Sequence, residues 1–410
     1  MRIAVDAMGG DFAPREIVRG AITYAASHAD EVILVGDVPR IEAEIAEFGR
    51  GHPASVSFVD APEVIEMGEH PAAALRAKRR SSIRVATDLV RDGLADAIVS
   101  AGSTGATMAA AVFRLGRIEG IDRPALAAHL VTASGPILIL DVGANVDSEP
   151  SNLVHYAVMG SIYSEHVLKV PRPRVGLLNI GEEAEKGDAL ARAAHPRIKE
   201  SGLNFIGNVE GNDMIGHAAD VVVCDGFVGN VVIKFFEGLT SYIFRSLRTD
   251  LQQGPIAPLA LLALKPGFDR MKHRFDYEQY GGAPLLGVRG VSIVTHGRAR
   301  ARMLENAIRV ASEAASARIP QLIADWTREH PAFARHDASE LIAGGTEPMV
   351  AGPGGDAWPA RHHGEGGFGP ARGSRHGDWR SLPSSRTSFD PRRRSRRWRG
   401  WSRSTRRIRR

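Results

Sequence analysis

The chain has 410 residues and a formal net charge of +5, but that charge is unevenly spread. Residues 331–410 hold 17 arginines, no lysine and 7 acidic residues, a net of +10, which leaves 35 basic and 40 acidic residues in 1–330, a net of −5. The first 330 residues therefore form a mildly acidic body of ordinary globular composition, which excludes the label of a basic protein, and the single cysteine, Cys224, excludes an intrachain disulfide and fits a reducing compartment.

In chain order, apolar runs of strand length alternate with helix-period segments through the first 250 residues. Arg2–Val5 is the first predicted strand, so Met1 leads directly into a strand and not into the apolar core of a signal peptide. Pro14 suits the first turn of a helix running to about Ser27. Glu31–Val35 and Ser55–Val59 read as further strands. A long helix is predicted from Pro71 to near Gly93, carrying Arg76, Lys78, Arg79 and Arg80 as a basic face that would suit an acidic partner. Asp96–Val99, Ile137–Leu140, Arg174–Asn179, Asn204–Ile206 and Val221–Val223 continue the strand series, with a helix at Thr107–Leu115 and others between. The expected fold class is α/β, a Rossmann-like open and mostly parallel sheet with helices on both faces.

Residues 252–275 break the alternation. Gly254–Leu264 is apolar and is followed by Lys265, Arg270, Lys272 and Arg274. The run is too short to span a bilayer and reads either as a tip resting on an anionic membrane surface or as a helical hairpin against a partner subunit. No window approaches the ~20 apolar residues of a spanning helix, so a cytoplasmic location is expected. A last helix is predicted at about Arg302–Arg328, after which residues 331–410 read as a disordered tail, a second region beside the 1–330 domain. The run Arg392–Arg410, with Trp398 and Trp401, has the composition of a phosphate-gripping, base-stacking segment. A plain disordered appendage, or out-of-frame translation of a GC-rich gene, explains it as well, and nucleic acid is not the expected partner.

Six of the apolar runs stop at polar, glycine-bearing turns: Asp6–Asp11, Ser100–Gly105, Asp141–Asn145, Asn179–Glu182, Asp225–Asn230 and Thr295–Gly297. In an open parallel sheet the carboxyl ends of the strands share one edge, where ligands bind, so the six turns are expected to converge on one crevice for an anionic small molecule. Ser103-Thr104-Gly105 opens a helix whose free N–H groups and dipole would hold phosphate, although ordinary N-capping accounts for the same residues. Lys186, one of seven lysines, follows Glu182, Glu183 and Glu185, and its ammonium suits a phosphate or a developing oxyanion as well as it suits a solvated charge cluster. Asn230 could donate to a carbonyl oxygen. His296 reads equally as a base, a phosphate ligand or a structural histidine, and Cys224 as a buried strand-end thiol. There is no zinc spacing, no Gly-x-x-x-x-Gly-Lys-Ser/Thr loop and no Gly-x-Gly-x-x-Gly after the first strand, so neither metal nor cofactor is expected.

Taken together, Asp6-Ala7-Met8-Gly9-Gly10-Asp11, Ser100–Ala106, Gly120–Ala125, Leu140–Asp147, Asn208-Val209-Glu210, Asp225–Asn230 and Tyr280-Gly281-Gly282-Ala283 resemble the PlsX family of phosphate acyltransferases, over about residues 1–330. The resemblance implies transfer of a fatty acyl group from acyl-acyl carrier protein to inorganic phosphate. The acyl phosphate would feed a membrane glycerol-3-phosphate acyltransferase in phospholipid synthesis. It also implies a homodimer, a fold related to phosphotransacetylases and isopropylmalate dehydrogenases, and peripheral attachment to the membrane through 254–274. Residues implied in substrate and phosphate binding are Asp6, Gly9, Gly10, Asp11, Gly102, Ser103, Thr104, Gly105, Asp141, Gly143, Asn145, Asn179, Gly181, Glu182, Asn208, Glu210, Asp225, Gly226 and Gly229. In the implied mechanism a phosphate oxygen attacks the thioester directly. Lys186 and Asn230 would stabilise the oxyanion, each such donor being worth roughly 3–4 kcal/mol, and His296 would assist the proton transfers.

Two departures from the family stand out. Arg298-Ala299-Arg300 replaces a Ser-Asp pair usual after His296-Gly297, and the arginine-rich tail has no counterpart. A decarboxylating dehydrogenase on a related fold, and a tethered interaction protein without activity, are the alternatives.

Overall fold

The computed structural model describes residues 1–49, 51–132, 134–251, 265–267, 270–271 and 277–333. Most of the 252–275 tip, and the tail beyond Phe333 with Arg392–Arg410, Trp398 and Trp401, lie outside the described residues.

The first half alternates as β1 (Arg2–Asp6), α1 (Arg15–Ser27), β2 (Glu31–Gly36), α2 (Val38–Phe48), β3 (Val56–Asp60), α3 (Pro71–Ala77), α4 (Ser82–Arg91), β4 (Ala97–Ser100) and α5 (Thr104–Ala110). The second half continues with β5 (Ala125–Thr132), β6 (Gly135–Leu140), α6 (Pro150–His166), β7 (Val175–Leu178), α7 (Ala189–Glu200), β8 (Phe205–Val209), α8 (Gly211–Ile215), β9 (Val221–Val223) and α9 (Gly226–Leu251). The chain then returns through β10 (Ala283–Leu286) and β11 (Val291–Val294) to α10 (Ala301–Ser316) and α11 (Ile319–Glu329).

All eleven strands belong to one sheet, in the order β3-β2-β1-β4-β11-β10-β5-β6-β9-β7-β8. The expected α/β class with helices on both faces is what forms. Along β1, Ile3 and Val5 face the core that α1 and α10 cover, whereas Ala4 faces the opposite cluster under α4. Helix α6 is buried around most of its circumference, which is why its sequence shows no polar stripe.

The sheet is mostly parallel, as expected, with three antiparallel pairings in its middle. β3, β2, β1, β4 and β11 are mutually parallel. β10 is antiparallel to β11 and to β5, and β5 is antiparallel to β6. After three reversals, β6, β9, β7 and β8 run parallel to one another and opposite to the first group. The carboxyl ends of the two groups therefore lie at opposite ends of the sheet.

The helix expected from Pro71 to Gly93 is two helices. Lys78 turns back, its ammonium donating to the Val64 carbonyl (2.6 Å) and to Glu69 (2.6 Å), while the Glu63 carboxylate takes the Arg80 amide (2.6 Å). These bonds hold residues 78–81 in a turn, so Arg76, Lys78, Arg79 and Arg80 do not share one helix face. The helix expected at Arg302–Arg328 is likewise divided: Arg318 is left-handed (φ 55°), and Pro320 lacks the amide that a continuous helix would use.

Helix α9 lies against β5 and β6, with Val232, Ile233 and Phe236 packed on the core and Phe227, Val231, Phe235, Leu239, Tyr242 and Ile243 exposed. Within its 22-residue segment Gly226–Leu247, an 18-residue window reaches a mean hydropathy of 1.2. It is thus long and apolar enough to cross a membrane, contrary to the expectation that no window would qualify.

Candidate active site

The six turns divide into two sets, one at each end of the strand direction, because the β10–β5–β6 reversals turn the second half of the chain around.

At the first end, the loops after β1, β4 and β11 interlock. Asp6 is fully buried and accepts from the Ser100 hydroxyl (2.7 Å) and the Met8 amide (3.2 Å). Burial pushes its carboxyl up, opposed by the hydrogen bonds from Ser82, Ser100 and the loop amides. A carboxylate so engaged shapes the 6–11 loop. Gly9 lies so close to Asp6 and Gly102 that a side chain there would meet both, and Gly10 is left-handed (φ 105°). The Asp11 amide donates to the Gly297 carbonyl (2.7 Å) and the Thr295 amide to the Ser100 carbonyl (2.9 Å), which ties the three loops together. Ser103 is buried as the N-cap of α5, its hydroxyl accepting from Ala106 (3.4 Å), and the Gly102 amide donates to Ser100 (3.0 Å). Thr104 is exposed. The Thr104 and Gly105 amides are left to face the edge with no partner among the described residues. α5 runs on without interruption through a π turn, Ala111–Leu115.

His296 is exposed at this end, and its Nδ1 accepts from the Arg298 amide (3.0 Å). The neutral ring then carries its proton on Nε2 and presents a donor. In the departing loop, Arg298 is 81% exposed with its Nε 4.0 Å from Asp11, Ala299 is buried, and the Arg300 guanidinium lies over the Phe12 ring.

At the second end, Asp141 is the counterpart of Asp6. It is fully buried and accepts from the amides of Leu126 (3.0 Å), Gly143 (3.2 Å), Ala144 (3.0 Å) and Asn145 (2.7 Å), and from the Asn145 carboxamide (3.0 Å). Burial pushes this carboxyl up as well, against those donors. Asp225 accepts the Phe227 and Val228 amides (2.9 and 3.0 Å), so the start of α9 already has its anion. Gly226 and Gly229 let α9 touch the Asp141–Asn145 loop; a β-carbon on Gly229 would overlap the Asp141 carbonyl. The Asn230 carboxamide donates to the Val142 carbonyl (3.0 Å). Cys224 is buried, and burial pushes its thiol up, in keeping with an inert strand-end residue.

Beside these, the Asn179 carboxamide donates to the Lys186 carbonyl (3.0 Å) and that of Asn208 to the Glu183 carbonyl (2.7 Å). Both hold the loop that contains Gly181. Glu182 and Lys186 are exposed. Glu210 caps α8 in a reciprocal box with Asp213.

The structure thus brings together Asp6, Gly9, Gly10, Asp11, Gly102, Ser103, Thr104, Gly105 and His296. It separately joins Asp141, Gly143, Asn145, Asp225, Gly226, Gly229 and Asn230, with Asn179, Gly181, Glu182, Lys186, Asn208 and Glu210 at the same end. Lys186 and Asn230 do not share the end of the sheet that carries His296.

One element links the two ends. Helix α9 starts beside Asp141, and about 16 Å further along its axis Glu237 reaches the neighbourhood of His296. Glu237 is half-buried, and burial pushes its carboxyl up, with His296 and Lys234 opposing. Sequence reasoning missed both residues. A signal was present: Lys234 and Glu237 are the only charged residues between Gly226 and Phe244.

A sheet of two opposed parallel halves, with amide-rich loops at its strand ends, defines an α/β fold of the phosphotransacetylase type. The EutD phosphotransacetylase from Staphylococcus aureus superposes with a TM-score of 0.53 at 16% identity, covering 77% of this chain and 94% of that one. A phosphotransacetylase from Streptococcus pyogenes gives the same values. At that identity the likeness is one of fold. Sequence gives the family: residues 1–322 match the model described as fatty acid synthesis protein, and the chain belongs to that family. Relatives named phosphate acyltransferase include one from Desulfitobacterium hafniense (strain Y51), 55% identical over 314 residues, which are 76% of this chain and 93% of that protein. Those from Pelotomaculum thermopropionicum (50% over 319 residues, 78% and 93%) and Gloeothece citriformis (46% over 332 residues, 80% and 94%) are similar over the same body.

Proposed function

We propose that the protein is a phosphate acyltransferase that moves a fatty acyl group from acyl-acyl carrier protein to inorganic phosphate, giving acyl phosphate for phospholipid synthesis. The observation that carries this is the interlocking of the 6–11, 100–105 and 295–298 loops around the unpartnered Thr104 and Gly105 amides. Amides at a helix start attract a phosphate dianion, and the exposed Nε2–H of His296 is one loop away as a further donor. Phosphate is already anionic at neutral pH, so a direct attack on the thioester carbon needs no enzyme nucleophile. The one thiol, Cys224, is buried.

In this proposal Asp6 and Asp141 brace loops, Asn230 anchors α9, and Lys186 remains a candidate substrate contact at the second end. The exposed apolar flank of α9 supports the homodimer that the family resemblance implies. Peripheral membrane attachment through 254–274, and delivery of product to a membrane glycerol-3-phosphate acyltransferase, rest on that resemblance.

The test is phosphate-dependent transfer from palmitoyl-acyl carrier protein, with acyl phosphate trapped as the hydroxamate. Product that requires phosphate and carrier-bound donor is expected. Folded protein that yields none would refute the assignment, and Ala299→Ser with Arg300→Asp would then test the departing loop.

A further inference from the structure

We propose that Glu237 is a catalytic residue of acyl transfer, the group that takes the proton from phosphate and hands it to the departing thiolate. This inference rests on the phosphate acyltransferase reading above and names a residue of that same site.

Four observations carry it. First, Glu237 stands on the inward face of α9, in register with Asn230 and Ile233, which touch the Val142 carbonyl and the core. A carboxylate on the packed face of an apolar helix is costly unless it is paired. Second, Glu237 makes no hydrogen bond or ion pair with any described residue, and its oxygens are not sealed from solvent. Third, α9 carries it from the second end of the sheet to the first, where His296 follows β11. β11 pairs with β4, and β4 leads into the amides of α5, so the carboxylate and the phosphate-facing amides share one end of the sheet. They also share one face, since Val232, Ile233 and Phe236 of α9 pack in the same cluster as Met108 and Val112. Fourth, the titratable groups acting on Glu237 are His296 from the β11 loop and Lys234 from its own helix, and both favour the carboxylate. Burial acts against them and pushes the carboxyl up from its ordinary value.

The step balances without a co-reactant. An oxygen of hydrogen phosphate dianion forms the C–O bond to the thioester carbon, and the C–S bond breaks. The P–OH proton passes to the Glu237 carboxylate and from there to the thiolate sulfur. Acyl phosphate dianion and neutral thiol leave, and Glu237 is again a carboxylate. His296, fixed as an Nε2–H donor, orients the acceptor.

Glu237→Gln keeps the shape of the side chain and removes the proton carrier. Its kcat is expected to fall about 10²–10³-fold, with the KM for phosphate changed less than about threefold, since general acid–base groups contribute on that scale. A second donor decides the role: a nitrothiophenyl thioester, whose thiolate leaves without a proton, should retain turnover within about tenfold of the unaltered enzyme on the same donor. A kcat within about threefold of the unaltered enzyme would overturn the proposal. So would an equal loss on both donors, which marks a structural role. Inactivity of the unaltered enzyme would remove the acyltransferase reading and this inference with it. An active unaltered enzyme beside an active Glu237→Gln variant removes this inference alone.

Discussion

Replacing Asp141 by Asn should destabilise the protein by about 2–4 kcal/mol without removing any packing volume. The carboxylate is fully buried and has five N–H donors aimed at it. Three reach Oδ1 and two, both from Asn145, reach Oδ2. An asparagine can keep its oxygen toward the first three, but its NH2 then faces the two donors of Asn145. Each buried donor left without an acceptor costs about 1–3 kcal/mol, and relief from burying a charge offsets part of the sum. At about 2 cal/mol/K per residue over the described body, that loss corresponds to a fall of roughly 3–6 °C in Tm. Differential scanning calorimetry of the two proteins at pH 7 measures it directly. A change below about 1 °C, or a rise, would show that these five bonds do not hold the Asp141–Asn145 loop.

Asp220 offers a pH test. Burial works against its charge, but the Arg174 side chain and amide (2.8–3.0 Å) outweigh it and hold the carboxyl below its ordinary value. Its contribution is therefore present above the unfolded value near 4 and lost as pH falls through the folded one. Asp220→Asn should cost about 1 kcal/mol at pH 7, because the arginine is partly exposed, and the gap to the unaltered protein should close below pH ~4; a gap that widens in acid would contradict this. Gly229→Ala should lower stability by about 1–3 kcal/mol as α9 is forced off the Asp141 carbonyl, read as a shifted urea midpoint, and an unshifted midpoint would show that the helix rides free of the loop. Lys186→Ala should leave stability unchanged within about 0.5 kcal/mol, since its carbonyl and not its ammonium is what Asn179 holds. Lost turnover at unchanged Tm would bring the second end of the sheet into the reaction.

Much of the fold was legible. The runs at Arg2–Val5, Ile137–Leu140 and Val221–Val223 are strands, and each ends at the turn its glycine and aspartate announce. β5 and β10 were not legible. Ala125–Thr132 is rich in alanine and lacks the β-branched signature, and Ala283–Leu286 is only four residues between glycines. Their omission mattered more than their size, because these two strands set the reversals. A sequence marks where a strand ends but not which way it points, since direction is fixed by partners far along the chain. The six turns lie at strand ends as read, and the reversals divide them into two sets. The break at Lys78 had no local signal, being made by Glu63, Val64 and Glu69. The break before Ile319 did have one, in Pro320.

Helix α9 is clamped at one extremity and functional at the other. Asn230, Gly226 and Gly229 fix its start to the Asp141–Asn145 loop, and Glu237 follows three turns later on the same rigid rod. A rod conveys an axial displacement undiminished, so a shift of that loop arrives at His296 as an equal shift of the carboxylate. Whatever seats itself against residues 141–145 thereby acquires remote control over the spacing between a base and its substrate, at a distance its own contacts never cover.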